Sequence, residues 1–140
     1  MRACGDFEAI EFHDARLLHL GIFPREGEAR LSFENVSVFF RTPVAETFEV
    51  WSFTANVALS LPDRLVLEGQ PPTDGWVIDD RLEGIAAART DWRDCLGEPV
   101  KVLSLSFTFN NGAKVTFSDS LVRLTLLEKK RFLETWTGPL

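Results

Sequence analysis

Residues Lys101 to Phe109 read KVLSLSFTF, and this stretch decides the fold class. The odd positions from Leu103 onward are large and apolar, whereas the even positions from Ser104 onward carry hydroxyl groups. Successive side chains of a strand point to opposite faces, so this alternation predicts a strand with one dry face and one wet face. Asn110-Asn111-Gly112 follows at once, and these residues tolerate the positive φ angles of a tight hairpin turn.

The alternation continues towards the C-terminus. Residues Ala113 to Ser118 alternate again, and Ser118-Asp119-Ser120 is interpreted as a turn into a further strand over Leu121 to Leu127. Residues 100–127 are therefore predicted to form a three-stranded meander.

The N-terminal half has the same character. Residues 15–23 form one predicted strand, and residues 47–61 form a long one with Trp51 among its alternating apolar positions. Between residues 31 and 40 the apolar positions change from odd to even numbers without a turn. Such a change predicts a β-bulge near Glu34-Asn35, because one extra residue reverses which face is buried.

One segment departs from the period of two. Apolar residues between 85 and 96 recur at nearly 3.6-residue spacing, and Gly84 and Gly97 bracket them, which predicts an amphipathic α-helix over residues 84–96. The competing interpretation is a strand through Ile85 followed by a short helical turn capped by Thr90.

These patterns predict a single domain over residues 1–140. Its fold class is mainly β, an antiparallel β-sandwich or open barrel of seven to nine strands with one α-helix near 84–96. A chain of this length buries roughly 68–70% of the surface that its unfolded form exposes, which suffices for a core. Unpaired strand edges invite pairing with another chain, so we also expect homodimerisation.

Charge and cysteine content restrict the partners and the compartment. The chain has 21 acidic and 15 basic residues, a net charge of −6, which argues against nucleic acid because such binding depends on cations that neutralise phosphates. The longest basic run, Lys129-Lys130-Arg131, is interpreted as a solvated end of an element. Cys4 and Cys95 do not form a disulfide framework, and no apolar stretch approaches the roughly 20 residues of a membrane helix. We expect a cytoplasmic protein with free thiols and no membrane contact.

The sequence offers few groups for catalysis. His13-Asp14 could form a general-base pair, but as neighbours on a strand their side chains would point to opposite faces. His19 lies six strand residues from His13, about 20 Å, which is too far for a shared metal ion. Cys95 is interpreted as a small buried apolar residue.

Acidic residues cluster at Asp79, Asp80 and Glu83, followed by Asp91 and Asp94, but no motif supports a carboxylate site there. Nucleophile-elbow, phosphate-loop and dinucleotide fingerprints are absent from the sequence. We therefore predict a non-enzymatic protein with no catalytic residues, no cofactor and no metal.

The four tryptophans are the remaining signal, because exposed aromatic residues dominate protein interfaces. Trp51 is assigned to the core, and Trp136 to a polar tail that either plugs an open end of the sheet or contacts a partner. The candidate interaction residues are Trp136, Trp92, Asp79 and Asp80.

Phe12-His13-Asp14-Ala15, followed by a strand, a polar turn and a Phe33-Glu34-Asn35-Val36 element, resembles the start of small bacterial β-domains of unknown function. Some of those domains resemble immunity proteins that neutralise toxins. The resemblance covers residues 12–40 and implies a partner-binding β-sheet protein without catalysis. It assigns no functional residue.

Three hypotheses follow. The first is a protein-interaction domain, specifically an immunity-type toxin inhibitor whose acidic surface suits a basic partner. The alternative is a β-barrel that binds a small apolar ligand in a cavity lined by some of the 12 phenylalanines. An enzyme would require the scattered carboxylates to converge in space.

Overall fold

Eight antiparallel strands form one open sheet in the computed structural model, which describes residues 7–60, 65–70, 75–84 and 91–140. The neighbour order is β1-β3-β4-β8-β7-β6, with β2 also paired to β3 and β5 to β8. The strands are β1 (Phe7–Glu11), β2 (Arg16–Phe23), β3 (Glu28–Arg41), β4 (Thr47–Ser60), β5 (Leu65–Glu68), β6 (Val77–Gly84), β7 (Val100–Phe109) and β8 (Lys114–Thr137).

This architecture confirms the predicted mainly antiparallel β fold and the predicted number of strands. The hairpin at Asn110-Asn111-Gly112 is also confirmed, since β7 and β8 pair from Thr108 and Lys114 outward.

The sheet curls so that one face encloses the core. Phe33 of β3 and Phe107 of β7 lie three strands apart, which in a flat sheet would separate them by about 14 Å. Their ring centroids are 5.1 Å apart. The two sides of the curled sheet meet at one corner, where the backbone N–H of Val77 donates to the carbonyl of Ala15 at 2.8 Å.

Aromatic rings fill the enclosed space. Phe12 contacts Phe33, Phe107 and Trp92 at centroid distances of 5.1, 5.5 and 4.5 Å, and all four rings are buried. A second, smaller cluster of buried apolar residues (Phe39, Phe48, Val50) lies on the opposite, outer face.

The bulge predicted near Glu34-Asn35 is confirmed. The register between β3 and β4 shifts between Phe33 and Val36, and Asn35 has a φ of +63°. Asparagine is one of the few residues with a side chain that adopts this left-handed conformation readily. Because of the extra residue, Val36 and Phe33 both face the core although their parities differ.

The predicted three-stranded meander is wrong. Ser118-Asp119-Ser120 does not turn the chain, and β8 runs through it without a break. Asp119, at a φ of +52°, instead changes the parity of burial, from Phe117 before it to Ser120 after it. Opposite this point Leu103 is 51% exposed and Val102 is buried, so Leu103 does not share the dry face of Leu105, as the alternation had suggested.

The α-helix predicted over 84–96 lies partly on residues 85–90, outside the described residues. Where its two ends are described, the structure differs from the prediction, with Gly84 in β6 and a short 3-10 helix over Trp92–Cys95. This arrangement is closer to the competing interpretation, but the cap is Asp91 instead of Thr90. The Asp91 carboxylate accepts a hydrogen bond from the backbone N–H of Arg93 at 2.8 Å.

Candidate functional site

A groove of about 480 Å³ opens on the outer face of the sheet and extends from the start of β2 and the bulge of β3 across β4 to β8. We call it the outer groove, and it is lined by Asp14, Arg16, Glu34, Asn35, Ser52, Trp76, Lys130 and Arg131. It combines one aromatic ring with cations, carboxylates and hydrogen-bonding groups in one concave surface, so it is more polar than a typical small-molecule pocket.

The bulge places Asn35 in this groove. The Asn35 amide nitrogen donates to the carbonyl of Asp14 at 3.3 Å. Its oxygen, Oδ1, is buried and accepts no hydrogen bond from the described residues. A buried acceptor without a donor costs roughly 1–3 kcal/mol.

The cations of the groove differ in how far they are neutralised. Arg16 forms an ion pair with Glu34, and Lys130 forms one with Glu128 at 2.6 Å. The hydrogen bond to Glu128 raises the pKa of Lys130. Within the part of the chain that the structure describes, Arg131 forms no ion pair. The Arg131 guanidinium is therefore the cation best placed to receive an anionic group.

Trp76 stands at the edge of the groove and is 45% exposed. The hairpin turn between β7 and β8 holds it there. Its backbone N–H donates to Asn110 Oδ1 at 2.9 Å, and the backbone N–H of Asn110 donates back to the carbonyl of Trp76 at 2.9 Å. The ring is thus presented to solvent on a fixed backbone.

Trp136 lies further along the same outer face. It belongs to β8, so its prediction as part of a tail beyond the last strand is wrong. It pairs with Phe48 across the strands, its ring lies 6.4 Å from that of Phe39, and 40% of its surface is exposed. It therefore covers the smaller apolar cluster from outside, with one side of the ring in contact with solvent.

Trp92 is in a different environment from the other candidate interaction residues. Its ring is buried in the core, and its indole nitrogen donates to Asp80 Oδ2 at 3.0 Å. Burial raises the pKa of the Asp80 carboxyl, with the hydrogen bond from Trp92 opposing that shift. Trp92 is too deeply buried to contact a partner, whereas Asp79, which precedes Asp80 in β6, is exposed.

His13 and Asp14 do approach each other, which corrects the expectation that they point apart. They lie in a turn instead of a strand, with His13 Nε2 3.8 Å from the carboxylate of Asp14. Asp14 has a φ of +70°, which breaks the strand geometry on which the expectation depended. Both side chains are largely exposed, so the contact contributes little stability.

The other acidic residues serve local structure. Glu83 accepts a hydrogen bond from Ser104 at 2.9 Å, and Asp91 and Asp94 form the capping box of the 3-10 helix. Cys95 is buried, and this burial raises its pKa to about 11, so the thiol stays protonated at neutral pH. Cys4 lies outside the described residues.

A second groove, of about 580 Å³, lies at the end of β3 and β4. The ammonium group of Lys129 occupies its aromatic part, 4.1 Å from the ring centre of Trp51 and 5.2 Å from that of Phe40. Trp51 is half-buried and packs against the core, to which the sequence analysis assigned it. Because the chain's own cation already lies against the aromatic rings of this groove, the outer groove is the stronger candidate.

Sequence reasoning did not identify Asn35, Trp76 or Arg131 as site residues. The parity change marked Asn35 as a bulge, but nothing in the pattern showed what the bulge would face. The basic run was interpreted as a solvated end, whereas two of its members line the outer groove.

No group of three or more His, Cys, Asp or Glu residues among those described could hold a metal ion. No helix within the described residues is long and apolar enough to cross a membrane. Comparisons with protein-family models, curated proteins and solved structures found no match.

Proposed function

We propose that this chain is a non-enzymatic protein-binding domain that docks a partner on its outer face, from the outer groove to Trp136. One observation carries the proposal: two exposed tryptophans and Arg131 share this face. Phe48 and Ser52 lie four residues apart on β4 and so point the same way, and Trp136 and Arg131 are their respective cross-strand partners.

Tryptophan and arginine are the residues most enriched among those that contribute most of the binding free energy of protein interfaces. Here strand pairing and the hydrogen bonds to the β7–β8 turn hold their backbone, so little backbone freedom is left to lose. A rigid surface lowers the entropic cost of association.

The charge of the chain favours a basic partner. A net charge of −6 gives a negative long-range field that accelerates encounter with a positively charged protein. An immunity-type inhibitor, which binds a basic toxin and blocks it without chemistry, is the specific form of this function that we propose.

The alternative of a small apolar ligand inside a barrel has less support. The rings that would line such a cavity contact one another, with Phe12, Phe33, Phe107 and Trp92 at centroid distances of 4.5 to 5.9 Å. The sheet is also open.

A homodimer through the free edge of β8 is also less favoured. Beyond Leu124 this strand pairs only with β4 in the described part of the chain, and three register shifts interrupt that pairing. Bulges and basic residues such as Lys129 and Lys130 are devices that discourage edge-to-edge pairing. We therefore expect the chain alone to be monomeric by light scattering.

Co-expression with the product of the neighbouring gene tests the proposal, with a one-to-one complex expected. Trp136→Ala should weaken that complex by about 2 kcal/mol or more, as removal of a central interface tryptophan does. Leu103→Ala is the control, since Leu103 is also an exposed apolar residue (51% against 40% for Trp136) but lies on β7, which does not pair with the part of β8 that carries Trp136. Equal affinities for the two variants, with both folded, would exclude the outer face as the interface.

A further inference from the structure

The second groove, at the end of β3 and β4, contains an arrangement of rings and charges that the proposed protein-binding face does not use. We propose that its aromatic part is a site for a methylated or quaternary ammonium cation, and that Lys129 acts as an intramolecular ligand which such a cation displaces. This inference is independent of the proposed function.

Aromatic rings form the walls of this site. Trp51 and Phe40 both pack against the main core from its edge, and both are only partly buried. The ring of Trp51 contacts that of Phe132 edge to face at 5.5 Å, and the ring of Phe40 stacks on that of Phe53 at 6.0 Å. Phe132 is itself 46% exposed. The walls are therefore held in place by other rings and can be reached from solvent.

The Lys129 side chain shows which chemistry these rings accept. Its ammonium group lies 4.1 Å from the ring centre of Trp51 and 5.2 Å from that of Phe40. Both distances are within the roughly 6 Å over which the negative face of an aromatic ring attracts a cation. Contact of one ammonium group with several rings is the means by which aromatic cages recognise choline and methylated lysine. The groove thus already accommodates an organic ammonium group.

The carboxylates of the groove favour a cation as the ligand. Glu49 accepts a hydrogen bond from the indole nitrogen of Trp51 at 3.1 Å, which places a negative charge beside the ring. Glu49 forms no ion pair with any residue that the structure describes. The other carboxylate of the groove, Glu8, is paired with Arg41 at 2.7 Å, so these two charges offset each other. When Lys129 leaves, the charge of Glu49 remains to attract a cation.

Displacement of Lys129 has a small cost. Among the described residues Lys129 forms no ion pair, so its ammonium group is held here by the two ring contacts. A primary ammonium group is strongly hydrated, and it regains its water when it leaves the rings. A methylated ammonium group has fewer N–H donors or none, so it loses less hydration when it enters the site. This difference favours a methylated or quaternary cation over the chain's own lysine.

The test uses choline and its neutral carbon isostere, in which a tert-butyl group replaces the trimethylammonium group. Each probe is titrated at constant ionic strength into the full-length Lys129→Ala variant, and the indole N–H signal of Trp51 is followed by ¹H–¹⁵N NMR. We expect choline to bind about tenfold more tightly than the isostere, as contact of a cation with two rings provides. Equal binding of the two probes, or no binding of choline, would overturn the proposal.

The wild type tests the role of Lys129. It should bind choline about tenfold more weakly than Lys129→Ala does, because Lys129 competes for the rings. Lys130→Ala is the matched control, since Lys130 is the adjacent residue and its ammonium group bonds to Glu128. Its affinity for choline should stay within about twofold of the wild type. A Lys129→Ala variant that binds no more tightly than the wild type would show that Lys129 does not occupy the site.

Two further changes in the Lys129→Ala background locate the site. Trp51→Leu removes the closer ring and should abolish the preference for choline over its isostere. Glu49→Gln, which perturbs the fold less, retains an acceptor for the indole and should weaken choline about threefold, as loss of one nearby charge does at a partly exposed site. Unchanged affinity for choline in either folded variant would refute the assignment.

The capped amino acid Nα-acetyl-trimethyllysine N-methylamide separates the two sources of this cation. If it binds more tightly than choline, the ligand is a methylated lysine of another protein; if choline binds more tightly, the ligand is a small molecule. Both results support the site. Failure of every cationic probe would remove the site and leave the proposed function standing, because that function is tested by the effect of Trp136→Ala on a one-to-one complex.

Discussion

The contact between Phe33 and Phe107 provides a direct test of the curled sheet. The two residues sit on β3 and β7, with β4 and β8 between them, and their ring centroids are 5.1 Å apart at an interplanar angle of 46°. Aromatic pairs of this kind contribute about 0.5–1.5 kcal/mol beyond the area that they bury. A double-mutant cycle with Phe33→Leu and Phe107→Leu should therefore give a coupling free energy in that range.

Leucine is the better replacement for this cycle. Truncation of a buried Phe to Ala costs about 3–5 kcal/mol, so two such changes would approach the whole stability of a domain, about 5–15 kcal/mol. Equilibrium urea unfolding at pH 7 of the wild type, the two single variants and the double variant gives the four free energies.

The control is a cycle between Phe107→Leu and Phe48→Leu, because Phe48 belongs to the separate outer cluster. Distant sites are additive within about 0.3–0.5 kcal/mol, so this second coupling should be indistinguishable from zero. A Phe33–Phe107 coupling no larger than that of the control would show that the rings do not meet and that the sheet does not curl as described.

Three further predictions concern single side chains. Burial raises the pKa of Asp80 in the folded state, so the stability that this group contributes is fully present below the ordinary pKa of aspartate and is lost as pH rises through the raised value. Asp80→Asn, which keeps an acceptor for Trp92, should thus be more stable than the wild type in urea at pH 7, and the difference should vanish in acid; a less stable variant at pH 7 would contradict this. The Cys95 thiol, buried and with its pKa raised to about 11, should react with a disulfide reagent at pH 8 at least about tenfold more slowly than free cysteine, measured in a Cys4→Ser variant, and fast labelling without denaturant would refute its burial. Asp91→Ala should lower the free energy of unfolding by about 1 kcal/mol, as loss of a cap does. Asp91→Asn should retain most of the wild-type stability, because its side-chain oxygen still accepts the capping hydrogen bond. Equal losses of stability in the two variants would show that the cap does not act through this oxygen.

The sequence indicated only part of the candidate site. His13, Asp14, Asp79, Asp80 and Trp92 drew notice in the sequence as chemically suggestive types. The structure uses Asp80 and Trp92 to satisfy each other inside the molecule. Asp14 does line the outer groove, but Asn35, Trp76 and Arg131 line it as well, and these three were not among the candidate site residues and lie far apart along the chain.

The sequence by itself determined those strands in which apolar residues alternate with a period of two, because this alternation is a local property that survives in any arrangement of the sheet. It did not indicate β1, most of β6 or the part of β8 beyond Leu127. It also located the bulge at Asn35, since an extra residue shifts the parity of every residue after it. The residue types at Ser118-Asp119-Ser120 are compatible with two structures, because residues that favour a turn also favour a left-handed bulge. Only the pairing of β8 with β7 and β4 shows that the chain forms the bulge. Only the tertiary structure decided which strands lie side by side, how far the sheet curls and which distant side chains share a groove. These features depend on contacts between residues up to about a hundred positions apart, and such contacts produce no periodic pattern in the sequence.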